Sequence, residues 1–258
     1  MNSPSKKHLS PRDRALLWLL RGGVRVNTLF PRSLFYPFYR SMGLLAYWAG
    51  LRRAVVLGNL RIAFPEKSAS ELRKIARACY CHFACMAGET FRFAKLDRAR
   101  LEKQIEAIKG EEYFQTALNR GDGKGAIIMT GHLGNWEWGS AFLTLRGLLQ
   151  SIVIKPLHNA GVEAFAREIR EARGIRVVLT RGSMVGLVKT LRAGEPIGLL
   201  TDQDARRHGI FVPFFGRLAS TAKGAADLAL SQGVPMLLCL AVRSRKRSDQ
   251  FRVIVCPP

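Results

Sequence analysis

His132 and Glu137 stand five residues apart in the stretch "GHLGNWEWGS" (131–140). An apolar run of strand length, "GAIIMT" (125–130), precedes it, and "AFLTLRGLL" (141–149), with helix-like apolar spacing, follows. Histidine, with an unperturbed pKa of about 6.5, is the side chain most readily poised as a base near neutral pH. On the loop leaving a strand, with Glu137 in the first turn of the next helix, the imidazole can take the carboxylate at one nitrogen. The other nitrogen then faces a pocket as a general base. Amides at the helix N-terminus offer donors to an oxyanion, and Gly131 and Gly134 permit a tight turn and close substrate approach. A purely structural histidine is the alternative, but the strand-end position between two glycines favours the chemical reading.

No protein nucleophile accompanies the base. The sequence has no G-x-S-x-G elbow, and Ser140 lies too far into the helix to serve as one. Walker A, GxGxxG and HExxH motifs are absent, and "RGDGKG" (120–125) precedes a strand instead of opening a helix. A base without a nucleophile implies that the substrate supplies the attacking group, such as a hydroxyl, in a direct group transfer. The cluster "CYCHFAC" (79–85) lacks the second half of a zinc site and reads as helix, so no metal is expected. The five cysteines read as small buried hydrophobes in a reducing compartment, without a disulfide framework.

The elements that must position these groups alternate along the second half of the chain. Strands are expected at 125–130, 151–156, 176–180, 196–202, 235–242 and 250–257, with helices at 136–149, 162–174, 184–194 and 221–233 between them. This pattern means an α/β fold with a mainly parallel central sheet flanked by helices. Ligands gather at the carboxyl ends of such strands, where Lys155 and the Asp202–Asp204 pair join His132. Upstream, Ser68 and Glu71 form a capping box for a helix over 65–93, and 97–125 reads as a polar connection and a further helix. Residues 51–258 are expected to form one α/β domain, preceded by a basic, aromatic, helical membrane-associating region at 1–50.

Composition bears on the partners. The 258 residues are 48% hydrophobic, enough for a sizeable core, and 41 Lys+Arg against 19 Asp+Glu give a formal charge of +22. Such a surface attracts polyanions: nucleic acid, anionic lipid or an acidic carrier protein. The basic residues are spread along helix faces and no nucleic-acid-binding signature is present, so nucleic acid is set aside. "ALLWLL" (15–20) is too short to be a secretory signal's core and lacks a cleavage site. Residues 33–51, broken by Pro37, Arg40 and Gly43, suit an interfacial or re-entrant element, with Tyr36, Tyr39, Tyr47 and Trp48 at headgroup level. A buried N-terminal hairpin is the other possibility.

"GHLGNWEWG" resembles the H-x-x-x-x-[D/E] block of the lipid A biosynthesis acyltransferases, within the wider lysophospholipid/glycerolipid acyltransferase superfamily. Further blocks agree in order and spacing from about residue 50 onward: "GNLRIAFPEKSASEL" (58–72), "REARG" (170–174), "LLTDQD" (199–204) and "GIFVPFFGRLASTAKGAADLA" (209–229). The resemblance implies transfer of a fatty acyl chain from acyl carrier protein or coenzyme A to a hydroxyl of a lipid A precursor. The place would be the cytoplasmic face of the inner membrane, with no cofactor beyond the thioester co-substrate. Another lipid acceptor (a lysophospholipid, an ornithine lipid or a phosphatidylinositol glycolipid) and a non-catalytic membrane-binding relative are the alternatives. It implies His132 as base with Glu137 as its partner. Arg170 would contact the acceptor's phosphate or support the site, a surface arginine being the other reading. Asn135 and Lys155 are further candidates for substrate contact. Asp202, Asp204 and the loop bearing Phe214 and Phe215 would line the cleft, the two rings meeting acyl chain or core, and Thr221 would cap the next helix. Members of the family usually have a cleaner N-terminal membrane helix and continue past the last strand, whereas this sequence stops at "VIVCPP", so a short C-terminal segment is expected.

Overall fold

A computed structural model describes residues 9–93, 97–120, 122–149, 151–179 and 184–258. The first eight residues of the basic start, Gly121 of the 120–125 turn and Thr180 at the end of the third expected strand lie outside the described residues. Four helices come first: α1 (Pro11–Leu29), α2 (Arg32–Trp48), α3 (Arg53–Ala63) and α4 (Ala69–Phe93). The sheet layer follows as α5 (Arg98–Glu102), β1 (Ile105–Lys109), α6 (Glu112–Arg120), β2 (Ile127–Thr130), α7 (Trp136–Leu145), β3 (Ser151–Ile154), α8 (Ala160–Glu171), β4 (Arg176–Leu179), α9 (Met184–Arg192) and β5 (Ile197–Leu200). A hairpin, β6 (Ile210–Phe214) and β7 (Arg217–Thr221), then α10 (Gly224–Gln232), β8 (Met236–Arg243) and β9 (Phe251–Val255) complete the chain.

The main sheet has the order β1-β9-β8-β2-β5-β3-β4, parallel throughout except where β8 meets β9. The mainly parallel α/β architecture is as the alternating pattern predicts. Successive side chains of a strand point to opposite faces, so β2 sends Ile128 to one core and Ile127 to the other. One core lies under α5, α6 and α7 and the other under α9 and α10. Trp138 of α7 has no exposed surface; its ring stacks on Phe142 and Phe251, with centroids 5.6 and 4.6 Å away, and its indole N–H donates to Gln104 at 2.9 Å.

Two elements depart from the sequence reading. Residues 105–109, expected within a polar connection and helix, form β1 instead, because parallel pairing with the edge of β9 outweighs the helix propensity of this Glu/Ala/Lys-rich segment. Residues 210–220, expected as a loop, and Thr221, expected to start the next helix, form a hairpin whose two-residue turn has positive φ at Phe215 (47°) and Gly216 (71°), the conformation that matches strand twist. Thr221 ends β7, and the residue ahead of α10 is Lys223, so Thr221 does not cap that helix.

The N-terminal helices are joined to this layer. Leu17 and Val24 of α1 pack with Phe165 and Ile169 of α8, and Arg21 pairs with Glu168 at 2.5 Å. The backbones approach closely there: a Cβ on Gly161 would lie 2.4 Å from the Asp13 carbonyl. A continuous helix α2 lies across α4, with a Cβ on Gly43 falling 2.6 Å from the Tyr80 carbonyl. That contact turns Tyr36, Tyr39 and Tyr47 inward: Tyr36 donates to Glu89, Tyr39 to Asn27, and Tyr47 is buried, leaving Trp48 exposed. Among the described residues no helix is long and apolar enough to cross a membrane. The capping box forms as read, with the Ser68 amide donating to Glu71 at 2.9 Å and the Glu71 amide to the Ser68 hydroxyl at 3.3 Å. All five cysteines are free, Cys85 and Cys239 are buried, and burial pushes the Cys239 thiol up to about 12.

Trp138→Ala is expected to cost about 3–5 kcal/mol of unfolding free energy, the range for an aromatic removed from a tight core. Chemical denaturation followed by circular dichroism measures it.

Candidate active site

β2 and β5 are neighbouring parallel strands, paired with Thr130 opposite Leu200, so the residues two beyond each end emerge side by side. This places His132 against Asp202 although they are 70 residues apart in sequence. Asp202 grips the histidine twice: Oδ2 accepts the His132 backbone N–H at 2.6 Å, and Oδ1 lies 2.8 Å from the ring's Nδ1. Gly131 makes room for this, since a Cβ there would sit 3.0 Å from Oδ2. A carboxylate only accepts, so Nδ1 carries the proton and Nε2 is left with its lone pair outward. Among the described residues Nε2 has one contact at hydrogen-bond range, the Gln203 amide nitrogen at 3.5 Å, too long for a firm hydrogen bond. The His132 side chain is one-third exposed (33%), and the Trp136 ring meets it edge-on at 4.7 Å.

The expected His132–Glu137 contact does not form. Glu137 lies in the first turn of α7 and is bound by Arg170 of α8 through both guanidinium branches, Nε at 3.1 Å from Oε2 and Nη2 on Oε1. Each side chain of this pair is only 15% exposed. Sequence spacing suggested Glu137 because it is near in the chain; strand order brings Asp202 nearer in space. Arg170 is accordingly no free surface arginine.

The loop carrying His132 is held from behind. The Asn135 amide donates to the Ala241 carbonyl of β8 at 2.9 Å, and Gly134 bridges the same residue. Gly134 has φ +66°, and a Cβ on it would lie 2.0 Å from the Ala241 carbonyl, so only glycine fits. His82 of α4 donates from Nε2 to the Gly134 carbonyl at 2.9 Å. The Asn135 side chain accepts the Trp138 amide at 3.0 Å, capping α7, while its Nδ2 donates to Glu89 at 2.8 Å. Asn135 is fully buried and so holds the loop instead of contacting substrate.

Glu89 is the hub of that support. Besides Asn135 it accepts the Tyr36 hydroxyl at 3.0 Å and two bonds from Arg243 of β8, at 2.5 and 2.8 Å. These donors fill the roughly four acceptor sites of a carboxylate. Burial alone pulls the Arg243 guanidinium down, but the hydrogen bond and charge of Glu89 outweigh it and leave its pKa raised. Burial first, and then the Glu89 charge, push the Tyr36 phenol well above its usual range. The sequence reading missed Glu89 and Arg243, and took His82 only as part of the 79–85 cluster set aside as a metal site. A signal existed for Glu89: it falls four residues after Cys85 on the apolar stripe of α4, where a carboxylate needs a partner.

The remaining candidates scatter. Lys155 is exposed just past β3, two strands from β2, roughly 10 Å away by strand spacing. Asp204 accepts the Arg206 amide at 2.8 Å, a turn contact. Phe214 and Phe215 are exposed at the hairpin tip, 63% and 53%, and neither lies in a core. A groove of about 390 Å³, lined by Met42, Ala46, Leu51, Val56, Tyr80 and Phe83 among others, opens between α2, α3 and α4. Phe83 meets Trp136 at 6.1 Å, so aromatic rings run from the groove to His132. Among the described residues no three His, Cys, Asp or Glu side chains gather as a metal site. Cys81 donates to the Arg40 carbonyl instead.

Residues 3–258 match the family described as bacterial lipid A biosynthesis acyltransferase. Over 166 residues the chain is 29% identical to a phosphatidylinositol mannoside acyltransferase of Mycolicibacterium smegmatis, a match covering 63% of this chain and 54% of that protein. The chain thus spans about half the length of that relative. Escherichia coli K12 proteins align over more of it. The lipid A biosynthesis palmitoleoyltransferase is 25% identical over 98% of this chain and 81% of its own. The lauroyltransferase is 25% identical over 94% and 78%.

Glu89→Ala is expected to cost about 3–5 kcal/mol, because it leaves Arg243 charged and buried without its partner. The double replacement Glu89→Leu with Arg243→Met should recover only part of that stability, because Tyr36 and the buried Asn135 still lose their acceptor. Denaturant titration of both variants makes the comparison.

Proposed function

The chain belongs to the bacterial lipid A biosynthesis acyltransferase family, and from that membership we propose that it transfers a fatty acyl group from a thioester to a hydroxyl of a glycolipid. The observation that carries the reading is the His132–Asp202 pair: a one-third exposed imidazole fixed by a carboxylate at Nδ1, with no hydroxyl or thiol hydrogen-bonded to it among the described residues. In the proposed step Nε2 takes the proton of the acceptor hydroxyl as its oxygen attacks the thioester carbonyl. Asp202 holds the tautomer and stabilises the imidazolium. Collapse of the tetrahedral intermediate breaks the carbon–sulfur bond, and the imidazolium returns the proton to the departing thiolate. Carboxylate support of the base is thus assigned to Asp202, and Glu137 is assigned to orient Arg170 toward the acceptor side.

The apolar groove joined to His132 through Phe83 and Trp136 suits an acyl chain. The formal charge of +22 suits an acidic carrier protein as donor and an anionic lipid as acceptor. Free thiols and the basic surface favour the cytoplasmic face of an inner membrane as the place of action. A lipid A precursor is the acceptor we assign, because the lipid A transferases align over nearly the whole chain. A phosphatidylinositol mannoside is the second reading, favoured by the higher identity over the shorter match.

The test is transfer of labelled acyl groups from acyl carrier protein and from coenzyme A to a lipid A precursor, to a phosphatidylinositol mannoside and to lysophospholipids. His132→Ala and Asp202→Asn are each expected to lower kcat by about 10²–10⁴-fold, the usual reach of a positioned general base. Full activity in Asp202→Asn would remove that carboxylate from the mechanism. Product on the mannoside alone would replace the acceptor and keep the chemistry. Glu137→Gln reports separately on the Arg170 pair.

A further inference from the structure

The β6–β7 hairpin is built unlike the rest of the molecule. Its strands contain no buried residue, and Ile210, Phe211, Phe214, Phe215 and Leu218 are between 49% and 69% exposed. A two-stranded hairpin is marginal in water unless another surface covers it. Helix α3 has the same character: "RAVVLGNLRIA" is largely aliphatic, yet none of its residues is buried. The two elements are continuous, since Phe64 at the end of α3 meets the ring of Phe215 at 6.4 Å. Leu51 and Val55, at the start of α3, are also exposed and extend the face toward the mouth of the apolar groove.

The charge around this face has one sign. Residues 205–223 contain Arg206, Arg207, Arg217 and Lys223 and no carboxylate; residues 51–65 contain Arg52, Arg53 and Arg61 and no carboxylate. The acids that flank these stretches in sequence are paired: Asp202 with His132, Asp204 with the Arg206 amide, Glu66 with Lys67, and Asp227 with Lys223, which offsets that one cation and leaves the arginines to set the sign. Exposed aromatic and aliphatic side chains flanked in sequence by arginines suit a bilayer surface, where rings enter the headgroup–acyl boundary and cations meet anionic headgroups.

We infer that the hairpin tip and α3 together form a docking face for an anionic lipid bilayer, with Phe214 and Phe215 entering the interface. The hairpin grows directly from the loop that carries Asp202, so docking sets the His132–Asp202 pair at headgroup level, where a lipid hydroxyl would meet it. That consequence rests on the proposed acyl transfer to a membrane lipid; the docking itself does not.

The test uses the full chain and vesicles of phosphatidylglycerol with brominated phosphatidylcholine. Phe214→Trp, read against the parent, should gain fluorescence that the brominated chains quench on binding. Phe214→Ser with Phe215→Ser should bind these vesicles on the order of tenfold more weakly, since binding scales with inserted apolar area. Arg207→Gln and Arg217→Gln should each weaken it about fivefold, and only on anionic vesicles. A Phe214→Trp signal that stays open to aqueous quencher on bound vesicles, or serine variants that bind like the parent, would overturn the inference. So would vesicle-free self-association abolished by those serines. Because no turnover is read, an inactive protein whose hairpin inserts would count against the proposed reaction and not against docking.

Discussion

The candidate site depends on one contact, the double grip of Asp202 on His132. The grip exists because β2 and β5 end level with each other in a parallel pair and because Gly131 has no side chain to hold the carboxylate away. One oxygen takes the backbone N–H and the other takes Nδ1, so loop conformation, ring rotamer and tautomer are specified together. A base held in this way spends little free energy on reorientation when a proton arrives.

That grip would mean little on a loose loop, and the polar interior behind it supplies the rigidity. Glu89 draws hydrogen bonds from α2, from β8 and from the residue that caps α7. Buried charge of this kind is a weak source of stability, because its desolvation cost offsets much of the attraction. What its four hydrogen bonds contribute is direction. They orient Asn135, and Asn135 with Gly134 and His82 pins the loop to β8 and α4. The N-terminal helices thereby reach the site through this relay: Tyr36, from a segment that reads as interfacial, ends on Glu89.

The same helices divide their surface between two tasks. Their small residues face inward, Gly43 and Gly88 of α2 and α4 allowing backbone and ring to meet. Some of their large apolar side chains, Trp18, Leu45 and Trp48 among them, face outward, while Leu17, Phe35 and Tyr47 are buried. Such a distribution differs from that of an ordinary soluble helix, whose apolar stripe is covered by its own domain.

The alternation of short Val/Ile/Leu runs with amphipathic segments was enough to read the α/β class and six strands of the sheet, since those periodicities are local. The strand-end histidine and its glycines were legible for the same reason. β1 was not, because only the edge of β9 makes its Glu- and Lys-bearing segment a strand. The partner of His132 was not legible either: Glu137 is close in the chain, while Asp202 is close only after β5 is inserted between β2 and β3. By itself, then, the sequence marked His132 and the Asp202–Asp204 pair as candidates and placed them at strand ends. Tertiary structure alone decided which carboxylate meets the imidazole, that Glu137 goes to Arg170, and that Asn135 is buried support. Strand order and long-range pairing arise from the packing of the whole sheet, which no local pattern of residues encodes.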